Sequence, residues 1–95
     1  MTDTPDANGE LPPLITFPAR FPIKIMGKNN PDFQAAILGI ANRLIPPEKL
    51  LSLDEKPSSN GKYLGITLIA IFDSQPEIDA VYQALTAEPG VIMAL

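Results

Sequence analysis

From Phe21 the chain alternates. Phe21, Ile23 and Ile25 are apolar and Pro22, Lys24 and Met26 fall between them, the period of two that a half-buried strand shows. Gly27 ends this strand, predicted over 21–27. Asn30 then reads as an N-cap, Pro31 as the first helical residue and Asp32 as an acid at the positive end of the helix dipole. Phe33, Ala36, Ile37, Ile40, Ala41 and Leu44 recur at spacings of three and four. That stripe predicts a helix over 31–44, which Pro46-Pro47 stops. A weaker strand follows over 50–57, with Leu51 and Leu53 facing a core. Its charges and Pro57 suit a sheet edge. Asn60-Gly61 predicts a two-residue type I′ hairpin turn, because both central positions of that turn need positive φ. The next strand, 62–72, is apolar on both faces: Leu64, Ile66, Leu68, Ala70 and Phe72 on one, Tyr63, Gly65, Thr67, Ile69 and Ile71 on the other. This marks it as central. Ser74-Gln75-Pro76-Glu77 reads as a capping box, with Glu77 reaching back to the amide of Ser74. Ile78, Val81, Tyr82 and Leu85 carry a second helix over 75–87, Pro89-Gly90 closes it, and 91–95 is a last short strand.

The order strand-helix-strand-strand-helix-strand predicts an α+β, ferredoxin-like split β-α-β sandwich (βαββαβ). Right-handed crossovers place both helices on one face of a four-stranded antiparallel sheet, with the first and third strands central. Residues 14–95 form this one domain. Residues 1–13, with Pro12-Pro13 unable to donate backbone hydrogen bonds, read as a disordered or extended tail. The opposite sheet face would show Lys24, Met26, Tyr63, Thr67, Ile69 and Ile71. An apolar patch there calls for a cover: the Leu14–Phe17 segment, a second copy in a homodimer, or a partner protein. The plainer alternative is that these are ordinary β-branched strand residues, partly exposed.

Phe17-Pro18 followed by Phe21, then Lys24-Ile25-Met26-Gly27, then Lys56-Pro57-Ser58-Ser59 with Gly61 and Tyr63, resembles the YbeD-like family of small bacterial proteins of unassigned function. The resemblance covers roughly residues 15–95. It implies a ferredoxin-like fold similar to ACT regulatory domains and implies no established activity. ACT-like domains bind small effectors near the loop after the first strand, so it further implies a site around Gly27, Asn29 and Asn30. The chain departs from the family in its longer proline-rich start and in Ile69 and Ile71, where polar residues are expected.

Composition narrows the chemistry. Histidine, cysteine and tryptophan are absent and the net charge is −4. Disulfides, thiol nucleophiles, imidazole acid–base work and cysteine or histidine metal sites are excluded, and neither metal nor cofactor is expected. Asp54 and Glu55 are adjacent on a strand and point to opposite faces, so they cannot share a catalytic site. The reading is therefore not an enzyme. RNA-recognition motifs share this element order but stack bases on aromatics at the centres of the first and third strands. Here Phe21, Tyr63 and Phe72 all lie near strand ends, so nucleic acid is not the expected partner. No apolar run is long enough to span a bilayer, and the start lacks a signal-peptide pattern, which points to the cytoplasm without a membrane role.

Two segments remain as candidate sites. In Lys56-Pro57-Ser58-Ser59-Asn60-Gly61-Lys62, two hydroxyls and two lysines suit an anion, although turn chemistry accounts for Asn60 and Gly61. Gly27 and Asn29 precede a helix N-terminus whose free amides favour anions, although a tight turn and an N-cap account for them equally. The open sheet face, through Tyr63, Thr67, Ile69 and Ile71, is the third candidate. The sequence supports a small ACT-like regulatory module that binds an effector or a protein partner. Its alternative is an adaptor that uses the open face with no small ligand.

Overall fold

The structure is a computed structural model that describes residues 16–95. The predicted tail, 1–13, lies outside the described residues, as do Leu14 and Ile15. The elements run β1 (Ala19–Lys28), α1 (Pro31–Leu44), a 3-10 turn (Pro47–Lys49), β2 (Leu50–Pro57), β3 (Tyr63–Phe72), α2 (Gln75–Ala87) and β4 (Val91–Ala94). The four strands form one sheet in the order β2-β3-β1-β4, and every described pairing is antiparallel. This is the predicted ferredoxin-like arrangement, with β1 and β3 at the centre.

The first strand begins two residues earlier than the pattern predicts. Ala19 pairs with Phe72 and Arg20 with Ile71, so Pro22, opposite Ile69, sits inside a central strand. The register explains why proline is tolerated there. The Lys24 N–H donates to the Leu95 carbonyl, so the nitrogen of Pro22, two residues back, faces the same side. The four residues of β4 end before reaching it, and no ladder bond is lost.

Helix α1 begins as read. The Asn30 Oδ1 accepts from the Phe33 N–H at 2.8 Å and Pro31 occupies the first turn. The capping box of α2 is only half formed. Ser74 is the N-cap residue but makes no side-chain cap bond. Glu77 Oε1 instead accepts from the Asp73 N–H at 2.8 Å, one residue before the cap. Proline at the start of α2 already removes one of the amide donors that a cap would satisfy.

One core lies between the sheet and both helices. Ile23 and Ile25 of β1, Leu64, Ile66 and Leu68 of β3, Ile37 and Ile40 of α1, and Ile78, Val81 and Leu85 of α2 are all buried in a single cluster. Phe33 closes one end of it. At the other end Phe21 and Phe72 meet edge to face with ring centroids 6.3 Å apart, a favoured aromatic geometry. Phe17 packs against this same cluster. Of the segment read as a cover for the open face, Phe17 thus belongs to the core instead.

Candidate functional site

With one face of the sheet filled by helices, the other follows from register. Its residues form cross-strand rows. Lys56, Gly65, Met26 and Met93 make one row. Asp54, Thr67 and Lys24 make the next, extended by Leu95, whose N–H and carbonyl bond reciprocally to Lys24 at 2.8 and 3.0 Å. Over these two rows lies a groove of about 750 Å³, walled on one side by Lys56, Pro57, Ser58 and Ser59 and on the other by Met93 and Leu95. The volume falls in the usual range for a ligand site. Met26, Met93 and Leu95 are 38%, 45% and 68% exposed, so the groove presents apolar side chains between charged ones.

The structure gathers some predicted residues here and separates others. Lys56, Ser58, Ser59 and Thr67 line the groove. Tyr63, Ile69 and Ile71 share the open face by register but lie outside it, Ile69 and Ile71 half-buried and Tyr63 exposed at the end of β3. Gly65, Met93, Leu95 and Asp54 also line the groove, beyond the site residues that the sequence predicts. For Gly65 a signal existed, a glycine in the middle of the most apolar strand. For Met93 and Leu95 it did not, because only the pairing of β4 beside β1 brings them to Met26 and Lys24.

The β2–β3 connection is longer than a two-residue type I′ turn: Ser58–Lys62 separates the strands. The Gly61 N–H donates to the Ser58 carbonyl and the Ser58 N–H to the Tyr63 carbonyl, both at 2.8 Å. Ser58 Oγ donates to Asn60 Oδ1 at 2.9 Å and accepts from the Tyr63 N–H at 3.0 Å. Asn60 Oδ1 also accepts from the Lys62 N–H. Ser58 therefore holds the loop closed, while Ser59 stays exposed at the rim. Gly61 has φ 73° with open space around its missing Cβ. Gly61→Ala should lower stability by about 1–2 kcal/mol, from the left-handed backbone alone. A denaturant midpoint equal to that of the wild type would show that the loop relaxes around the substitution.

Gly27 and Asn29 have structural duties away from the groove. Gly27 lies within β1, pairing with Leu64 and Val91, and it is buried. A Cβ there would come within 2.4 Å of the Phe33 ring and 2.5 Å of the Gly90 carbonyl oxygen. The glycine is required by close packing. Asn29 ties two loops together: its N–H donates to the Lys62 carbonyl at 3.1 Å and its Nδ2 to the Gly61 carbonyl at 3.0 Å.

A smaller depression of about 180 Å³ lies between Leu44, Pro46, Lys49, Ile71 and Glu77. Its polar groups are already engaged. Lys49 pairs with Asp73, whose hydrogen bond raises the ammonium pKa above its ordinary value, and Glu77 holds the Asp73 amide. No helix among the described residues is long and apolar enough to cross a membrane.

Residues 12–95 match the family model described as a protein of unknown function, DUF493. The chain belongs to this family. A UPF0250 protein of Ralstonia nicotianae is 40% identical over 97 residues, covering 100% of both chains. One from Leptothrix cholodnii is 40% identical over 82 residues, covering 86% of this chain and 90% of its own. The YbeD-like resemblance fits this membership. Among solved structures, a protein of H. pylori, HP0495, superimposes with a TM-score of 0.75 at 14% identity, covering 98% of each chain. An uncharacterized protein of Thermotoga maritima reaches 0.62 at 15% identity, over 78% of this chain and 90% of that one. At such identities the likeness concerns the fold.

Proposed function

We propose that this DUF493 chain is a small binding module of regulatory type, not a catalyst, and that it works through the groove on its open sheet face. The observation that carries the reading is the groove itself. Exposed Met26, Met93 and Leu95 lie side by side with Lys24 and Lys56 over a sheet surface notched at Gly65. A concave apolar floor with a few charged groups around it is how recognition sites are built. A reaction centre has less support. Of the neighbouring carboxylates, Asp54 shares the open face while Glu55 turns away to accept from Gln34 Nε2 at 2.7 Å. No pair of acids converges on one point there.

A two-dimensional amide spectrum recorded while amino acids, nucleotides or acidic and basic peptides are titrated tests this. Shifts should cluster at Lys24, Met26, Gly65, Thr67 and Met93. A cluster at Gly27–Asn30 would move the site to the helix N-terminus that the ACT resemblance implies. A second reading, an adaptor with no small ligand, draws on the shallow, open form of the groove, and it predicts shifts with peptides only.

A further inference from the structure

The open face carries the opposite charge to the chain. The sequence has a net charge of −4. Yet alternation along β1 puts Arg20, Lys24 and Lys28 on the face away from the helices, and β2 adds Lys56, all four exposed. Among the described acids, register places only Asp54 with them. The others lie on or beside the helices or, as with Glu55, turn toward α1. The three bases of β1 stand four residues apart, so the line they draw is roughly 27 Å long at the usual rise of a strand. That is longer than a small anion and suits an extended chain.

Gly65 supplies a separate observation. It has no left-handed backbone, and a Cβ would meet only the Lys56 carbonyl oxygen, at an ordinary 3.5 Å. Neither conformation nor packing within the described residues demands glycine in this central strand, where glycine weakens pairing. What its missing side chain does is keep the floor of the groove low between Lys56 and Met26.

Building on the groove as the binding face, we propose that its occupant is an acidic, extended segment of a partner protein that also carries apolar side chains. Its carboxylates lie along Arg20, Lys24, Lys28 and Lys56. Its apolar groups lie on Met26, Met93 and Leu95 over Gly65. Charge decides between the rivals. Two copies stacked face to face would bring one basic line against the other, an arrangement that like charges disfavour. A nucleic acid would find one aromatic by register on this face, Tyr63 at the strand end, and a chain of net negative charge behind it.

The test uses the full chain and a fluorescein-labelled peptide of glutamate, leucine and glycine, about a dozen residues long. The same peptide with lysine for glutamate and an oligouridine of equal length are the controls, all followed by anisotropy and by amide shifts. The acidic peptide should bind and weaken with salt. Lys24→Glu with Lys56→Glu, both at exposed positions, should lower its affinity by about tenfold or more, and the arginine pair should retain it. Gly65→Val should lower it as much with no change of charge. Several results would overturn the proposal: no shift at Lys24, Met26 or Gly65, equal binding of the lysine peptide, tighter binding of the oligouridine, or a dimer in sedimentation that Gly65→Val dissociates. If Gly65→Val abolishes binding while charge reversal does nothing, the acidic partner is wrong and the groove stands. If neither variant changes anything, both readings fall.

Discussion

Leu68→Ala and Ile37→Ala are each expected to lower the unfolding free energy by roughly 2–5 kcal/mol, the cost of truncating a fully buried aliphatic side chain. Both residues are essentially sealed from solvent, at 1% and 0% exposure. Leu68 sits at the middle of the sheet, opposite Ile23 on one side and Leu53 on the other. Ile37, on α1, belongs to the same buried cluster. A hole there cannot collapse, because the neighbours are fixed by strand pairing on one side and by both helices on the other. The effect is large against the ~5–15 kcal/mol that holds a domain together. Equilibrium urea unfolding measures it as a lower midpoint at unchanged slope. Ile69→Thr, one position along on the open face and only half-buried, should cost less. A larger loss at 69 than at 68 would mean that the faces of β3 are reversed.

Gly27→Ala is the second large effect, expected at about 3 kcal/mol, the upper part of the usual range for overpacking. The new methyl would overlap the ring of Phe33 and, at 2.5 Å, the backbone oxygen of Gly90. A ring edge can yield. A carbonyl in the connection to β4 yields only by moving that strand, which is four residues long and pairs with β1 alone. The loss should therefore appear first as faster amide exchange in β4. Phe33→Leu in the Gly27→Ala background should recover part of the stability. If Gly27 were instead required by turn conformation, the leucine would recover nothing.

These two cases show what was legible and what was not. The helix limits followed from local chemistry: Asn30 and Pro31 at one end of α1, Pro46-Pro47 at the other, and Pro89-Gly90 beyond α2. The central place of β3 followed from its two apolar faces. The start of β1 was hidden because the apolar alternation becomes plain only from Phe21, with small Ala19 next to Pro18 ahead of it. Pro22 lies inside the predicted strand, and only the short reach of β4 makes it harmless there. Gly27 read as a turn glycine because its reason, the ring of Phe33 against the strand, is a contact and not a conformation. The β2–β3 turn was placed but mistyped, since Ser58 closes it with a side-chain bond that no dipeptide signal announces.

By itself the sequence determined the element order, the helix caps and stripes, the alternation of β1 and β3, and hence the ferredoxin-like class. Each of these rests on interactions within a few residues or on a period of two or 3.6 along the chain. Tertiary structure decided which side chains become neighbours across strands. Lys24 is set beside Thr67, Lys56 and Met26 on either side of Gly65, and Met26 opposite Met93, because antiparallel register joins positions far apart in the chain. The basic face of an acidic protein is a product of the same register. Counting residues yields a net charge, while the sheet sorts the charges by side.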